Sequence, residues 1–297
     1  MNQITDIFTG IQDFRDIVPG IEASRELSEM EPAYEVACTR VQDVITSAIF
    51  DIIKAELTAD PSAGEVLANA LLCLQGAVGN FTAYQHLIFD VISKKKEDQN
   101  LYKYELHEMQ EAYLDNFANY MDRLLTLMDN NTGSFTGWTN TDVYNDRSML
   151  ILKSSKEFAK YYGTAGSEYF VMRTIYKQHE IIDDHILSRM DLADITGELE
   201  KPVKRFVAYA VVAAAVRELD YPDLPKSLRN DLYAEQSKKQ GAQEEFIKER
   251  LWKIYEAKAE KYLNQVDLIL SRPDADTTTI IVNEGLNEPQ DKSFLMG

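Results

Sequence analysis

The chain has 297 residues, 45% of them hydrophobic, which is enough for one large domain or two of ordinary size with a real core. Only 13 Gly and 8 Pro interrupt it, and its apolar residues recur at helical spacing, so the expected fold class is all-α. A formal net charge of −18 repels phosphate and anionic lipid, and it excludes the electrostatic footprint of a protein that reads nucleic-acid sequence.

The first 35 residues hold eight acids against two arginines. Within them, residues 8–20 predict a short helix, with Thr9 and Gln12 at capping-box spacing and Pro19-Gly20 as its end. An amphipathic helix is expected over about 32–57, with Pro32 in its first turn and a stripe running through Tyr34, Val41, Ile45, Ile49 and Ile52. The next helix should run from Glu65 to about Val91. Its first half is apolar nearly all round, which marks it as the most buried helix. The run Lys94-Lys95-Lys96 falls in an expected polar loop. A long helix follows at about 101–129, with Leu106, Met109, Tyr113, Phe117, Tyr120, Leu124 and Leu127 on one face.

Residues 130–147 interrupt the helical pattern with two Gly, four Asn and four Thr, yet they carry Phe135, Trp138 and Tyr144. Gly133 suits a helix stop. After this stretch the order of elements repeats. An apolar lead-in and a short helix occupy 149–163, with Ser154 and Glu157 at capping-box spacing and Gly163 as the stop. An amphipathic helix is expected at about 167–190, an apolar one at 202–219, a short piece at 226–236 and a long one at about 243–271.

An offset of 137 lays Ile45 on Ile182, Ile49 on Ile186 and Ala77 on Ala214, and an offset of 138 lays Phe117 on Tyr255. Order and hydrophobic phase therefore predict two tandem, structurally similar helical bundles. Each comprises a short helix, an amphipathic helix, a buried helix and a long helix. The expected units are 1–131, a linker at 132–147, 148–271 and an extended C-terminal arm at 272–297. Aromatics in the linker should pack against one copy and fix the mutual orientation of the two, since a floppy tether favours Gly and Ser. The arm offers Ile280, Ile281, Val282, Phe294 and Leu295 as partner contacts.

Cys38 and Cys73 lie in apolar helical segments, which predicts two buried free thiols in a reducing compartment. Residues 1–10 lack the pattern of an export signal, and the apolar run at 211–216 is too short to span a bilayer. The expectation is a soluble protein made in the cytoplasm. The four histidines, His86, His107, His179 and His185, show no Glu-x-x-His spacing, and residues 183–187 lack the last Asp of a prenyl-diphosphate motif because Leu187 stands there. No metal, cofactor or catalytic residue is predicted, and the chain is not expected to be an enzyme.

Phe135, Trp138, Tyr144, Leu150-Ile151 and Glu157-Phe158, set within the duplicated plan, carry a resemblance. Over roughly residues 5–270 the chain looks like an uncharacterised family encoded by phages and prophages of gut Bacteroidetes. That family's fold is similar to the all-helical head–tail connectors, or adaptors, of long-tailed phages. The resemblance implies a structural virion protein of the neck, assembled in the host cytoplasm. It implies a homo-oligomeric ring of about twelve copies, closed by a heterologous interface. It also implies a portal protein and downstream tail or ring proteins as partners, and passing DNA that is not bound by sequence. Lys94, Lys95 and Lys96 join the linker aromatics and the arm residues as expected partner contacts. The alternative is a cellular helical scaffold or adaptor without catalytic activity.

Overall fold

An apolar stripe at 3.6-residue spacing makes α2 (Glu31–Ile45) a helix that buries Tyr34, Ala37, Cys38, Val41 and Val44, with Pro32 in its first turn where a missing N–H costs nothing. In the computed structural model, which describes residues 3–22, 25–58, 64–96, 103–162, 167–238 and 244–272, such stripes organise the whole chain. The side chains of 88–96, 103–104, 235–238 and 244 are outside that description. Twelve α-helices and no strand occur among the described residues.

The first copy comprises α1 (Ile11–Ile17), α2, α3 (Ser47–Lys54), α4 (Glu65–Lys96) and α5 (Lys103–Asn130). Its frame is the α4–α5 hairpin, with α1, α2 and α3 laid against α4. The second copy comprises α7 (Ser155–Tyr162), α8 (Glu168–Arg173), α9 (Ile175–Ile181), α10 (Glu200–Glu218), α11 (Lys226–Lys238) and α12 (Glu244–Leu270). Here α10 and α12 form the hairpin, with α7 and α9 against α10 and α11 against α12. The duplication and the all-α class are therefore present in the structure. Helix α11, between the hairpin arms, distinguishes the second copy.

The hairpins are held by helices that are apolar on most sides. On α10, Val203, Phe206, Val207, Val211, Val212 and Val216 are all buried. Packing overrides the weak helix propensity of so many β-branched residues, because burying each contributes about 1.5–3 kcal/mol relative to exposure. On α4 two glycines permit close approach. A Cβ on Gly76 would fall 2.4 Å from the Tyr120 ring of α5, and one on Gly79 would fall 2.5 Å from Val18. By length and composition, Glu65–Leu87 is long and apolar enough to cross a membrane, unlike the short run at 211–216; 67% of its apolar 18-residue window is buried inside the fold.

Several boundaries differ from expectation. The amphipathic helix of the first copy breaks at Thr46 (φ 70°, ψ 153°), the one positive-φ residue other than glycine among the described residues. In the second copy the break falls at Thr174 (φ −105°), and a π-helical turn at Ile182–Ile186 extends α9. At α1 the Thr9–Gln12 capping box is absent. Asp13 instead accepts from the Thr9 amide at 2.8 Å, while Gln12 donates to Asp16. At α7 the Glu157 amide donates to Ser154 Oγ at 3.3 Å, but Glu157 accepts from the Lys153 amide, one residue away from a capping-box partner. Gly163 lies outside the described residues. The stop of α5 is Asn131, whose side-chain amide donates to the Leu127 carbonyl at 2.8 Å, and the left-handed glycine of the linker is Gly137 (φ 92°), not Gly133.

Candidate functional site

The linker and the seam between the copies each hold a connected set of polar contacts. Residues 132–147 are not a plain loop: α6 (Asp142–Ser148) begins within them and ends one residue beyond, with Thr141 Oγ1 accepting from the Tyr144 amide. Phe135 and Trp138 are fully buried. Trp138 donates its indole N–H to Asp129 at 3.0 Å, and Arg147 reaches the same oxygen at 2.7 Å. Tyr144 is half-buried, edge-on to Trp138 at 5.7 Å. The rings tie the linker to the end of α5, as their composition suggests. Their burial also removes Phe135 and Trp138 from any partner surface in this conformation. Lys94, Lys95 and Lys96 form the last turn of α4, since the helix runs past the expected loop boundary. Ile280, Ile281, Val282, Phe294 and Leu295 lie outside the described residues, and so does the expected arm beyond Arg272.

Between the copies lie two linked ionic clusters and a cap. In the first, Asp223 precedes α11 and is 2% exposed. Its carboxylate accepts from Arg40 of α2, from the Tyr169 hydroxyl of α8 at 2.5 Å and from Arg173 of α8 at 3.2 Å. The Arg40 guanidinium also stacks 4.8 Å above the Phe81 ring. Burial, and then the neighbouring Asp223 carboxylate, push the Tyr169 phenol above its ordinary range, so it remains a hydrogen-bond donor. In the second cluster, Arg229 of α11 is 1% exposed. It donates to Glu111 at 2.9 Å and Asp115 at 2.5 Å on α5, and to the Leu224 carbonyl at 2.7 Å. Tyr221 adds a hydrogen bond to Glu111 at 2.7 Å.

The cap is Asp122 of α5, which accepts from Ser167 Oγ at 2.9 Å and from the Tyr169 amide at 2.8 Å at the start of α8. Burial pushes its carboxyl up to about 6, against the pull of those hydrogen bonds. A cleft of about 240 Å³ opens here between Asp115, Asp122, Asp223 and Arg229. Every ionised group in the first two clusters has an opposite partner, which is the condition for burying charge without a large penalty. The arrangement joins helices; it does not converge on a reacting atom.

None of these residues was picked out in sequence. Arg40 sits between Ala37, Val41 and Val44 on the apolar stripe of α2, and Arg173 ends the apolar run 169–172. A charge on a buried face was the available signal. Elsewhere, His179 bonds the Asp146 carbonyl at 3.0 Å, and His107 stacks on Tyr233 at 3.7 Å. Among the described residues no group of three or more His, Cys, Asp or Glu could hold a metal.

Fold and seam together define an all-helical protein of two fused, similar bundles. A family model described as "Family of unknown function (DUF6712)" matches residues 41–148 and again 170–279, well over half of the chain, and the chain belongs to that family. No curated protein and no solved structure matches it.

The two matches start 129 residues apart (170 minus 41), and the helix breaks at Thr46 and Thr174 lie 128 apart. The spacing of the two matches lies close to the 137- and 138-residue offsets that hydrophobic phase suggests.

Proposed function

We propose that this chain is a structural subunit of a larger homo-oligomer, and that the assembly is the neck ring below the portal of a tailed phage, continuing the DNA channel to the tail. The observation that carries the reading is the seam. Arg40, Tyr169, Arg173 and Asp223 lock two similar bundles into one fixed pair with different outer faces. Ring closure needs a heterologous interface, with unlike patches on the two sides of each subunit, and a fused pair of diverged copies supplies them. The net charge of −18 suits a channel wall that DNA must pass without sticking, because phosphate is repelled along its length. The seam's charges are spent on one another, which supports a structural role over catalysis.

Two measurements test the proposal. Mass spectrometry of purified particles from the producing strain should find the chain in the virion. Images of the purified protein, alone and with portal, should show rings. Absence from particles would move the reading to a cellular scaffold, and monomers in both preparations would remove the ring.

A further inference from the structure

We infer that an open groove on the second copy is the docking site for the end of α4 of a neighbouring copy of this chain. The groove, of about 320 Å³, runs between α9 and α12 over α10. Its floor is apolar, made of the small side chains Ala210, Ala213 and Ala214 beside the Phe206 ring. One bank carries Asp184, and the other carries Glu256 and Glu260. Lys177 is already committed, to Glu180 at 2.9 Å and Glu218 at 2.5 Å, and Arg217 lies 4.8 Å over the Trp252 ring. Asp184, Glu256 and Glu260 have no ion-pair partner among the described residues, and they outnumber Arg217, the lining cation that is likewise outside any ion pair there.

An apolar floor between unpaired acidic banks calls for an occupant that is helical, apolar on one side and basic at its end. The chain contains one run of three basic residues, Lys94-Lys95-Lys96. They close α4 directly after Ile88, Phe89, Val91 and Ile92. Three cations in sequence at a helix end thus match in charge three carboxylates along the groove. The C-terminal segment is a poor occupant. It carries Asp274, Asp276, Glu284, Glu288 and Asp291 against Lys292, and the banks would repel it. Groove and helix end belong to different copies of the repeat, so the contact is head-to-tail and can propagate around a ring.

This inference rests on the self-assembling part of the reading above and not on the virion. Assembly through this groove by a chain absent from particles would keep it and remove the connector. A ring on particles built through other faces would do the reverse.

The test is a charge swap in the full-length protein, read by sedimentation velocity across a concentration series, with circular dichroism to verify folding. The variant K94E/K95E/K96E and the variant E256K/E260K should each weaken self-association by roughly tenfold or more, and rising salt should weaken the parent. Carrying both sets in one chain should restore assembly. A parent that stays monomeric throughout would overturn the inference. So would assembly indifferent to either variant, or a combined variant no better than the two alone.

Discussion

The two hairpins solve one packing problem in opposite ways. In the first copy, small residues on α4 are covered: Tyr120 presses on Gly76, and Val18 and Phe8 press on Gly79. In the second, Ala210 and Ala214 of α10 are left partly exposed, and with the buried Ala213 they floor a groove between α9 and α12. A glycine admits a ring into the helix surface, whereas the alanines of α10 lie at the floor of a groove that no side chain among the described residues fills. The same architecture therefore yields a closed face on one copy and an open groove on the other.

The largest way to break the comparison is at the seam that keeps the copies in register. Asp223→Ala strips the partner from Arg40, Arg173 and Tyr169 together and should cost about 3–5 kcal/mol, measured by denaturant unfolding. Next comes the covered face. Gly76→Ala should destabilise by about 1–3 kcal/mol, because the Tyr120 ring must move even though alanine favours helix. The matched change on the open face, Ala214→Leu, should alter stability by less than about 0.5 kcal/mol. Equal effects at the two sites would erase the distinction between closed and open faces.

A smaller test lies at the two helix breaks. Thr46 holds a β-branched side chain in a region of backbone space that glycine alone occupies comfortably, so Thr46→Gly should stabilise by about 1 kcal/mol. Thr174 has ordinary φ, and its hydroxyl donates at 2.9 Å to the Phe170 carbonyl, so Thr174→Gly should destabilise by about 1 kcal/mol. Unfolding midpoints that move in the same direction would show that the two breaks are not different in kind.

The subtlest test is pH. The Asp122 carboxyl titrates near 6 in the fold rather than at its ordinary 3.8. Its ionised form is thus the less favoured one in the folded chain. The stability it contributes is complete below about pH 4 and is lost as pH rises through 6. Asp122→Asn keeps an oxygen to accept from Ser167 and the Tyr169 amide. The variant's stability relative to the parent should therefore increase between pH 4 and pH 7, and a flat difference would contradict the assigned burial.

Hydrophobic phase made the helices, their order, the buried α4 and the duplication legible, because burying a stripe is what forms each element. The Thr46 break was hidden because threonine is a poor residue for φ 70°, and nothing local announces strain that packing imposes. Helix α6 was hidden under Asn, Thr and Gly, and its N-cap on Thr141 reads equally well as a turn. The seam was hidden for a different reason. Arg40, Arg173 and Asp223 stand among apolar neighbours, which marks them as unusual, but which carboxylate meets which guanidinium is fixed only when α2, α8 and the turn before α11 come together.

The central claim is that two fused copies form one body locked by the seam. Scanning calorimetry of the full chain tests it most directly. The account predicts a single cooperative transition whose calorimetric and van't Hoff enthalpies agree, splitting in two when Asp223 is replaced by alanine. Two separate transitions in the unmodified chain, one for each copy, would contradict it.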